Sequence, residues 1–464
     1  MYILNYGPHH PSTHGVLRLL FTMEGEEIIN CEPIIGYLHR GVEKLIESKK
    51  FISIIPYIDR LDYLAPVMSE HAYALALEKV LNIEVPRRAL IIRTIFDELT
   101  RIACHIMGIG CATYDIGLMN VFLYGMEERE KIMDIFYSTT SNRMHLAYYI
   151  PGGVTNDINN DIINSIILFI NNLDFYLNTV EKLALNNRIF KQRTENIGII
   201  SKELAIKYGI SGVNLRATGI NYDTRKIKPY GIYNELNFKP IILNKSDCYN
   251  RTYLRYLEIK QSIDLIKQCL ELIKDIRQYY DRENSENGNI YNDCFKLKNI
   301  KNCIYKEEYN KHYGLEFKDD ENKKQNNIDE KYIFNNNNTL QKNMEDKKCY
   351  YNISKASNNI DIINNDEYCS YNKYKRQDGS YFFYFNIKLP ANTTVYSSVE
   401  NSRGEFGIHL FTGNKPSTTP HRIHFKSPSF AIIQMLKDLL KGVILADVSV
   451  ILGSLDFIMG DCDR

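Results

Sequence analysis

Three histidines lie within six residues in the segment Gly7-Pro8-His9-His10-Pro11-Ser12-Thr13-His14-Gly15-Val16-Leu17-Arg18, and seven of the chain's eleven histidines occur by residue 145. An unperturbed imidazole titrates near ~6.5, so it can give or take a proton at neutrality. Pro8 and Pro11 each remove a backbone donor and fix φ, and Gly15 permits a tight turn. The segment reads as a stiff, non-helical loop that presents imidazoles and leads into a short strand, Val16 to Met23. His10 and His14 have the i, i+4 spacing of a zinc-binding helix, but Pro11 between them argues against such a helix. The ten cysteines contain no C-x-x-C pair. No metal or cluster is therefore expected to be ligated by this chain, and the thiols read as incidental to the chemistry.

Other ionisable groups cluster downstream. Gly36-Tyr37-Leu38-His39-Arg40-Gly41-Val42-Glu43-Lys44 is followed by Asp59-Arg60-Leu61-Asp62-Tyr63 and by Glu70-His71. Asp97-Glu98-Leu99-Thr100-Arg101 lies inside an apolar helical pattern, and Thr113-Tyr114-Asp115, Glu127-Glu128-Arg129-Glu130 and Arg143-Met144-His145 come next. Charges on a helix normally mark a solvated face. Here their apolar neighbours predict buried, paired charges around a site.

The elements that must position these groups can be read from periodicity. Residues 16–30 alternate around Glu24-Gly25-Glu26 and predict a β-hairpin. Residues 65–83 predict a helix with Pro66 in its first turn. Pro86 opens a second helix, in which Ile92, Ile95, Phe96, Leu99, Ile102, Ala103 and Ile106 recur at helical spacing. Further helices are expected over 161–187 and 248–280. Residues 281–384 are rich in Asn, Lys and Asp without a period, and read as an insertion that buries too little apolar surface to order itself. Strands are expected at 395–399, 407–412 and 422–425, then a helix after Pro428 and an apolar run from Val443 to Leu455. The predicted organisation is an N-terminal loop and hairpin (1–32), a helical core (33–280), a peripheral insertion (281–384) and a β-rich C-terminal region completing the core (385–464). The fold class is α+β, predominantly α-helical.

A formal net charge of +1 argues against nucleic-acid binding. No apolar run reaches the ~18 residues of a transmembrane helix, no leader is recognisable ahead of the loop, and there is no dinucleotide fingerprint, P-loop or nucleophile elbow. The expectation is a soluble protein, or one peripheral on a membrane assembly. The absence of Trp, with 34 Tyr and abundant Ile, Asn and Lys, is the usage an AT-rich genome favours, and points to an organellar gene.

Taken in order, these runs closely resemble the NADH dehydrogenase subunit 7 family, the quinone-site core subunit of respiratory complex I. The resemblance starts with Asn5 to Arg18 and continues through Gly36 to Lys44, Asp59 to Tyr63, Glu127 to Glu130, Pro151-Gly152-Gly153-Val154 and Asn187 to Thr194. It ends with Gly404-Glu405-Phe406-Gly407, Leu445-Ala446-Asp447-Val448 and Asp463-Arg464. It covers the chain apart from the insertion. The family is also similar to the large subunit of nickel–iron hydrogenases, which implies a hydrogenase-like helical core. The metal-binding cysteines of those enzymes are missing here: Arg60-Leu61-Asp62-Tyr63-Leu64-Ala65 stands at the first site, and only Cys462 at the second. One thiol cannot assemble a soft-ligand metal centre.

The resemblance implies a role for each site residue. His14 and Tyr63 would donate to the carbonyl oxygens of a ubiquinone headgroup, with His10 also at the quinone site, and Asp115 would pair with His14 to fix its tautomer. Arg40, Arg60 and His145 would face a [4Fe–4S] cluster held by the neighbouring small core subunit, where positive or protonatable groups favour the reduced cluster. The implied partners are that cluster-bearing subunit and the membrane subunit at the quinone channel. The implied activity is proton-translocating NADH:ubiquinone reduction within the complex and not by this chain alone. The implied location is the matrix face of the mitochondrial inner membrane. His14, Tyr63 and Asp115 are expected to converge in one cleft. His9 stands where the family usually has glutamine, Ile150 replaces an arginine, and Phe190 and Tyr222 replace tryptophans. The competing reading is a non-catalytic core protein whose charges knit subunits together.

Overall fold

The computed structural model describes residues 1–13, 15–286 and 387–464. His14 and nearly all of the 281–384 insertion, including its expected peripheral placement, lie outside the described residues. The chain divides into two units. One comprises 1–276 with 367–464; of the other, 277–366, only the end of a helix is described. The fold is α+β and predominantly α-helical, with small sheets near both ends.

Strands β2 (Arg18–Glu24) and β3 (Glu27–Ile34) form the expected hairpin around Gly25, whose φ of +62° suits the tight turn. An additional strand, β1 (Tyr2–Tyr6), pairs antiparallel with β2, placing Leu4 opposite Phe21. The sequence reading placed an N-terminal loop ahead of the hairpin and did not expect this strand. Its signal is the alternation of half-buried Leu4 and Tyr6 with exposed neighbours. This sheet packs against the Pro428–Leu439 helix, and Leu17, Leu19, Phe21 and Met23 share a core with Ile432, Leu436, Ile451 and Leu455. Ile28 N–H donates to Val443 O at 3.0 Å, tying the N-terminal sheet to the C-terminal segment.

The helical body is built on Pro66–Leu81, Arg87–Tyr114 and Met119–Thr140. At ~1.5 Å per residue, the 28-residue Arg87–Tyr114 helix is a rod of roughly 40 Å. It carries Arg93 near one end and Asp115 as its C-cap. The expected 161–187 helix is broken into Asn160–Asn172, Asp174–Val180 and a wider turn at Glu181–Leu185. Strands β4 (Tyr149–Ile150) and β5 (Gly153–Val154) close a two-stranded turn. Strands β6 (Thr394–Asn401), β7 (Gly404–Phe411) and β8 (Arg422–Lys426) form an antiparallel sheet whose first strand packs on Pro66–Leu81. The Val443–Leu455 run is a helix, Leu445–Leu455, and a short helix, Met459–Asp463, follows.

From Arg93 onward the charges of Arg87–Tyr114 are buried and paired, as predicted. Arg93 bonds Glu78 at 2.6 Å, and His71 Nδ1 lies 2.7 Å from Asp97. Glu98 accepts from Tyr233, Ser262 and Arg225 and pairs with Arg101. Arg216 bridges Glu258 at 2.8 Å and Glu400 at 2.5 Å. These groups bind the helix to the 211–236 segment and to β6, so they serve the core rather than lining a cleft.

Candidate functional site

The histidine loop contains one 3-10 turn, Pro11–Thr13, where a wholly non-helical loop was expected. Pro11 fits it because its fixed φ suits a first-turn position and its missing N–H would have had no helical acceptor. His10 is exposed and its Nδ1 accepts from Ser12 N–H at 3.2 Å. Its ring lies 4.1 Å from that of Tyr6. Burial pushes the Tyr6 phenol up, and the Asp115 carboxylate pushes it further, while a hydrogen bond with Ser12 opposes both. Asp115 is thus an electrostatic neighbour of the strand that feeds this loop.

Two C-terminal helices draw the loop, Asp115 and Tyr63 together. Leu445–Leu455 packs on the Pro11–Thr13 turn and on Arg87–Tyr114. At Gly453 a Cβ would stand 2.4 Å from Asp115 Oδ2, so glycine lets the carboxylate lie on the helix backbone. In the next helix, Met459 Cγ is 3.5 Å from the place of a Cβ on Gly15. At Gly460 a Cβ would meet Leu61 O at 2.7 Å and the Tyr63 ring at 3.5 Å. The residues flanking His14, the Asp115 carboxylate and the Tyr63 ring therefore all rest on residues 445–463. His14 itself lies outside the described residues.

Tyr63 is half-buried, and burial raises its phenol pKa. Arg403 opposes that rise while Asp62, Asp456 and Cys111 add to it. The turn beneath it is clamped. Asp62 accepts from Arg403 Nη1 at 3.0 and 3.1 Å and from Asn401 Nδ2 at 2.9 Å, and it caps Ala65 N–H. Arg403 also reaches Asp456, the left-handed residue between the two C-terminal helices, at 3.3 Å.

Arg40, Arg60 and His145 form a second group on the same turn. Arg40 Nη2 donates to Arg60 O at 2.6 Å, and Arg60 Nη1 to Pro56 O at 2.5 Å. His145 has its pKa lowered by burial and then by the Arg60 and Arg40 charges, against a bond to the Asp59 main chain. Two exposed guanidinium-bearing residues and an imidazole whose protonation they disfavour thus share one patch. Among the described residues no cluster of three or more His, Cys, Asp and Glu is arranged to hold a metal.

The 49 kDa subunit family of the respiratory-chain NADH dehydrogenase matches residues 115–325 and 380–464. The corresponding NADH-quinone oxidoreductase subunit of Ehrlichia ruminantium strain Gardel is 37% identical over 461 residues, covering 99% of this chain and 97% of the relative. The same subunit of Rickettsia felis is 37% identical over 463 residues, covering 99% and 98%. The chain belongs to the 49 kDa subunit family. This bears out the resemblance read from the motifs. It also corrects the expected location, because these relatives are bacterial proteins and bacteria have no mitochondria. A mitochondrial membrane and an organellar gene are therefore not supported. AT-rich coding leaves the same signature in bacterial and organellar genes, so residue usage does not decide between them.

The departures from the family pattern sit quietly in the fold. His9 is exposed with φ +67°. Ile150 contributes its main chain, whose carbonyl accepts from Arg93 at 2.8 Å. Phe190 is fully buried, and the Tyr222 hydroxyl donates to Glu405 at 3.2 Å. Sequence reasoning did not single out Gly453, Gly460, Arg403 or Asp456. The available signal was glycine inside an apolar helical run, which marks a close approach.

Proposed function

We propose that this 49 kDa-family subunit forms the quinone-headgroup site of an NADH-quinone oxidoreductase, with His14 and Tyr63 as the donors to the two carbonyl oxygens. Reduction of a quinone to a quinol takes two electrons and two protons. Tyr63 O–H and His14 N–H are competent donors, and their hydrogen bonds stabilise the charge that gathers on the oxygens as electrons arrive. Asp115 holds the His14 imidazole in the donating tautomer and stabilises it when protonated. His10 borders the same loop. A [4Fe–4S] cluster of the neighbouring small core subunit supplies the electrons. Arg40, Arg60 and His145 stand at this chain's side of that contact, where their charge and protonation stabilise added negative charge.

The observation that supports this reading best is the convergence of the loop flanking His14, of Asp115 and of Tyr63 on residues 445–463. The Arg40–Arg60–His145 group on the Tyr63 turn agrees with it. Tyr63 also makes no hydrogen bond among the described residues, which leaves its hydroxyl for a ligand. The subunit works inside the complex, beside the cluster-bearing subunit and the membrane subunit at the quinone channel, and quinone reduction there drives proton translocation. The test is quinone reduction by assembled complex carrying Tyr63→Phe. A large loss of turnover with normal assembly supports the reading; unchanged rate and quinone affinity would leave the subunit a structural core protein.

A further inference from the structure

Asp59 and Glu70 are both wholly buried, and neither meets a lysine or arginine at ion-pairing distance among the described residues. Each spends one oxygen on the same short segment. Asp59 Oδ2 accepts from Ala147 N–H at 3.1 Å, and Glu70 Oε2 accepts from Tyr148 and Tyr149 N–H, both at 2.7 Å. The other two oxygens, Asp59 Oδ1 and Glu70 Oε1, are buried and meet no N–H or O–H among the described residues. Because Ala147, Tyr148 and Tyr149 are consecutive, the two carboxyl groups are held side by side on one short stretch of main chain, and each acts on the other's titration. Two carboxylates at that separation cannot both ionise at modest cost, whereas one proton between them satisfies both.

We propose that Asp59 and Glu70 share a single proton, and that this proton latches residues 145–149, and with them His145, onto the Pro66–Leu81 helix. Its surroundings agree. Burial pushes Asp59 up to about 6 and Glu70 well above the usual carboxylate range, with the Asp59 carboxylate adding to the rise in Glu70. The groups facing the pair are Arg60 on the Asp59 turn, the His145 ring on the Asp59 main chain, and the Tyr149 phenol. Beyond Tyr149 stands Asp97, committed to His71. Arg60 pulls Asp59 down but is itself exposed, so it cannot offset two buried negative charges. When the shared proton leaves at high pH, two carboxylates face each other and the segment they hold is released. The His145 ring, whose buried Nδ1 has no hydrogen-bond partner among the described residues, then loses its seat. Only this last consequence rests on the reading of His145 as a group beside the electron donor; the latch does not.

The test is amide hydrogen exchange of residues 147–149 in assembled complex across pH, a readout independent of electron transfer. In the wild type these amides should exchange slowly at neutral pH, then speed up more steeply than base catalysis alone once the shared proton is lost. Glu70→Gln should stay protected throughout, since its amide oxygen accepts from Tyr148 and Tyr149 while its N–H donates to Asp59. Glu70→Ala should exchange roughly 10- to 100-fold faster at every pH. Asp59→Asn carries the same test from the other side should Glu70→Gln fail to assemble. A protonated-carboxyl infrared band present in the wild type should vanish in both amide variants. Wild-type exchange that follows base catalysis alone, Gln and Ala variants that exchange alike, or an infrared band that survives both substitutions would each overturn the proposal.

Discussion

Two regions of this subunit are rich in buried acids, and they treat them in opposite ways. Around Arg216, burial favours protonation of the carboxylates, but arginines prevail. Glu258 is held well below the usual range by Arg216 and His105, Asp223 is lowered to about 2 by Arg225 and Arg216, and Glu98 is lowered by Arg101 and Arg225. Near the Tyr63 turn and the C-terminal helices, where Arg403 takes up Asp62 and Asp456, three further acids have no ion-paired arginine among the described residues and stand near other carboxylates instead. Asp59 and Asp461 are each pushed up to about 6, and Glu70 is raised further above its ordinary value. The first region is neutralised by arginine and holds still. In the second region charge is balanced by protons, which can leave. Residue type does not separate a structural acid from a proton-handling one; its partner does.

The strongest way to break this comparison is to unbalance the arginine-paired region. Arg216→Met leaves Glu258 and Glu400 buried without their guanidinium, which should cost about 3–5 kcal/mol. Denaturant unfolding and the yield of assembled complex would both fall. Unchanged stability would mean that the network is surplus to the core.

Two tyrosine substitutions sharpen the contrast. Tyr63→Phe should lower quinone reduction by about 100-fold, at the low end of what a positioned proton donor contributes, while assembly stays normal. Tyr233→Phe removes the hydroxyl that donates to Glu98 at 2.6 Å, and should cost about 1–3 kcal/mol of stability with turnover per assembled complex unchanged. Steady-state kinetics paired with thermal unfolding would test the split, and the two variants behaving alike would abolish the distinction drawn between the regions.

A smaller effect is expected at Gly453. The added methyl of Gly453→Ala would stand 2.4 Å from Asp115 Oδ2, so the carboxylate must move away from the helix. Turnover should fall roughly tenfold, the scale of a displaced rather than deleted group, with a stability change of about 1 kcal/mol. Wild-type kinetics would show that Asp115 does not act from that position.

Much of the fold was legible because its signals are local. The Pro66–Leu81 and Arg87–Tyr114 helices announce themselves by apolar spacing, and the strands at 394–401 and 422–426 by alternation between turn residues. The break after Asn172 was not legible, because the apolar period runs on through it. Of the candidate site, Tyr63 and Asp115 were named through the family motifs. Their support was not, since Gly453 and Gly460 matter only through contacts with residues hundreds of positions away. Asp59 and Glu70 were each noticed within charged runs, but nothing eleven residues apart in sequence shows that two carboxyls face each other without a cation.

A final prediction isolates the proton-balanced acids from the chemistry. Asp461 is fully buried at the foot of the C-terminal helices, where it accepts from Ser427 Oγ at 2.6 Å. Burial raises its pKa first, and the Asp62 carboxylate adds to it, giving about 6 against 3.8. Because the folded value lies above the unfolded one, the folded state binds the extra proton between those limits. The stability this contributes is fully present below about 4 and is lost as pH rises through about 6. At pH 7 to 8 the fold therefore carries a buried carboxylate with a like charge nearby. Asp461→Asn keeps an oxygen for Ser427 and removes the charge, so it should stabilise the subunit at pH 8 by about 1–2 kcal/mol and leave it near neutral at pH 4.5. Thermal unfolding of assembled complex at both values decides the matter. A variant less stable at pH 8 than at pH 4.5, relative to wild type, would mean that a cation already balances Asp461 and that it belongs with the arginine-paired acids.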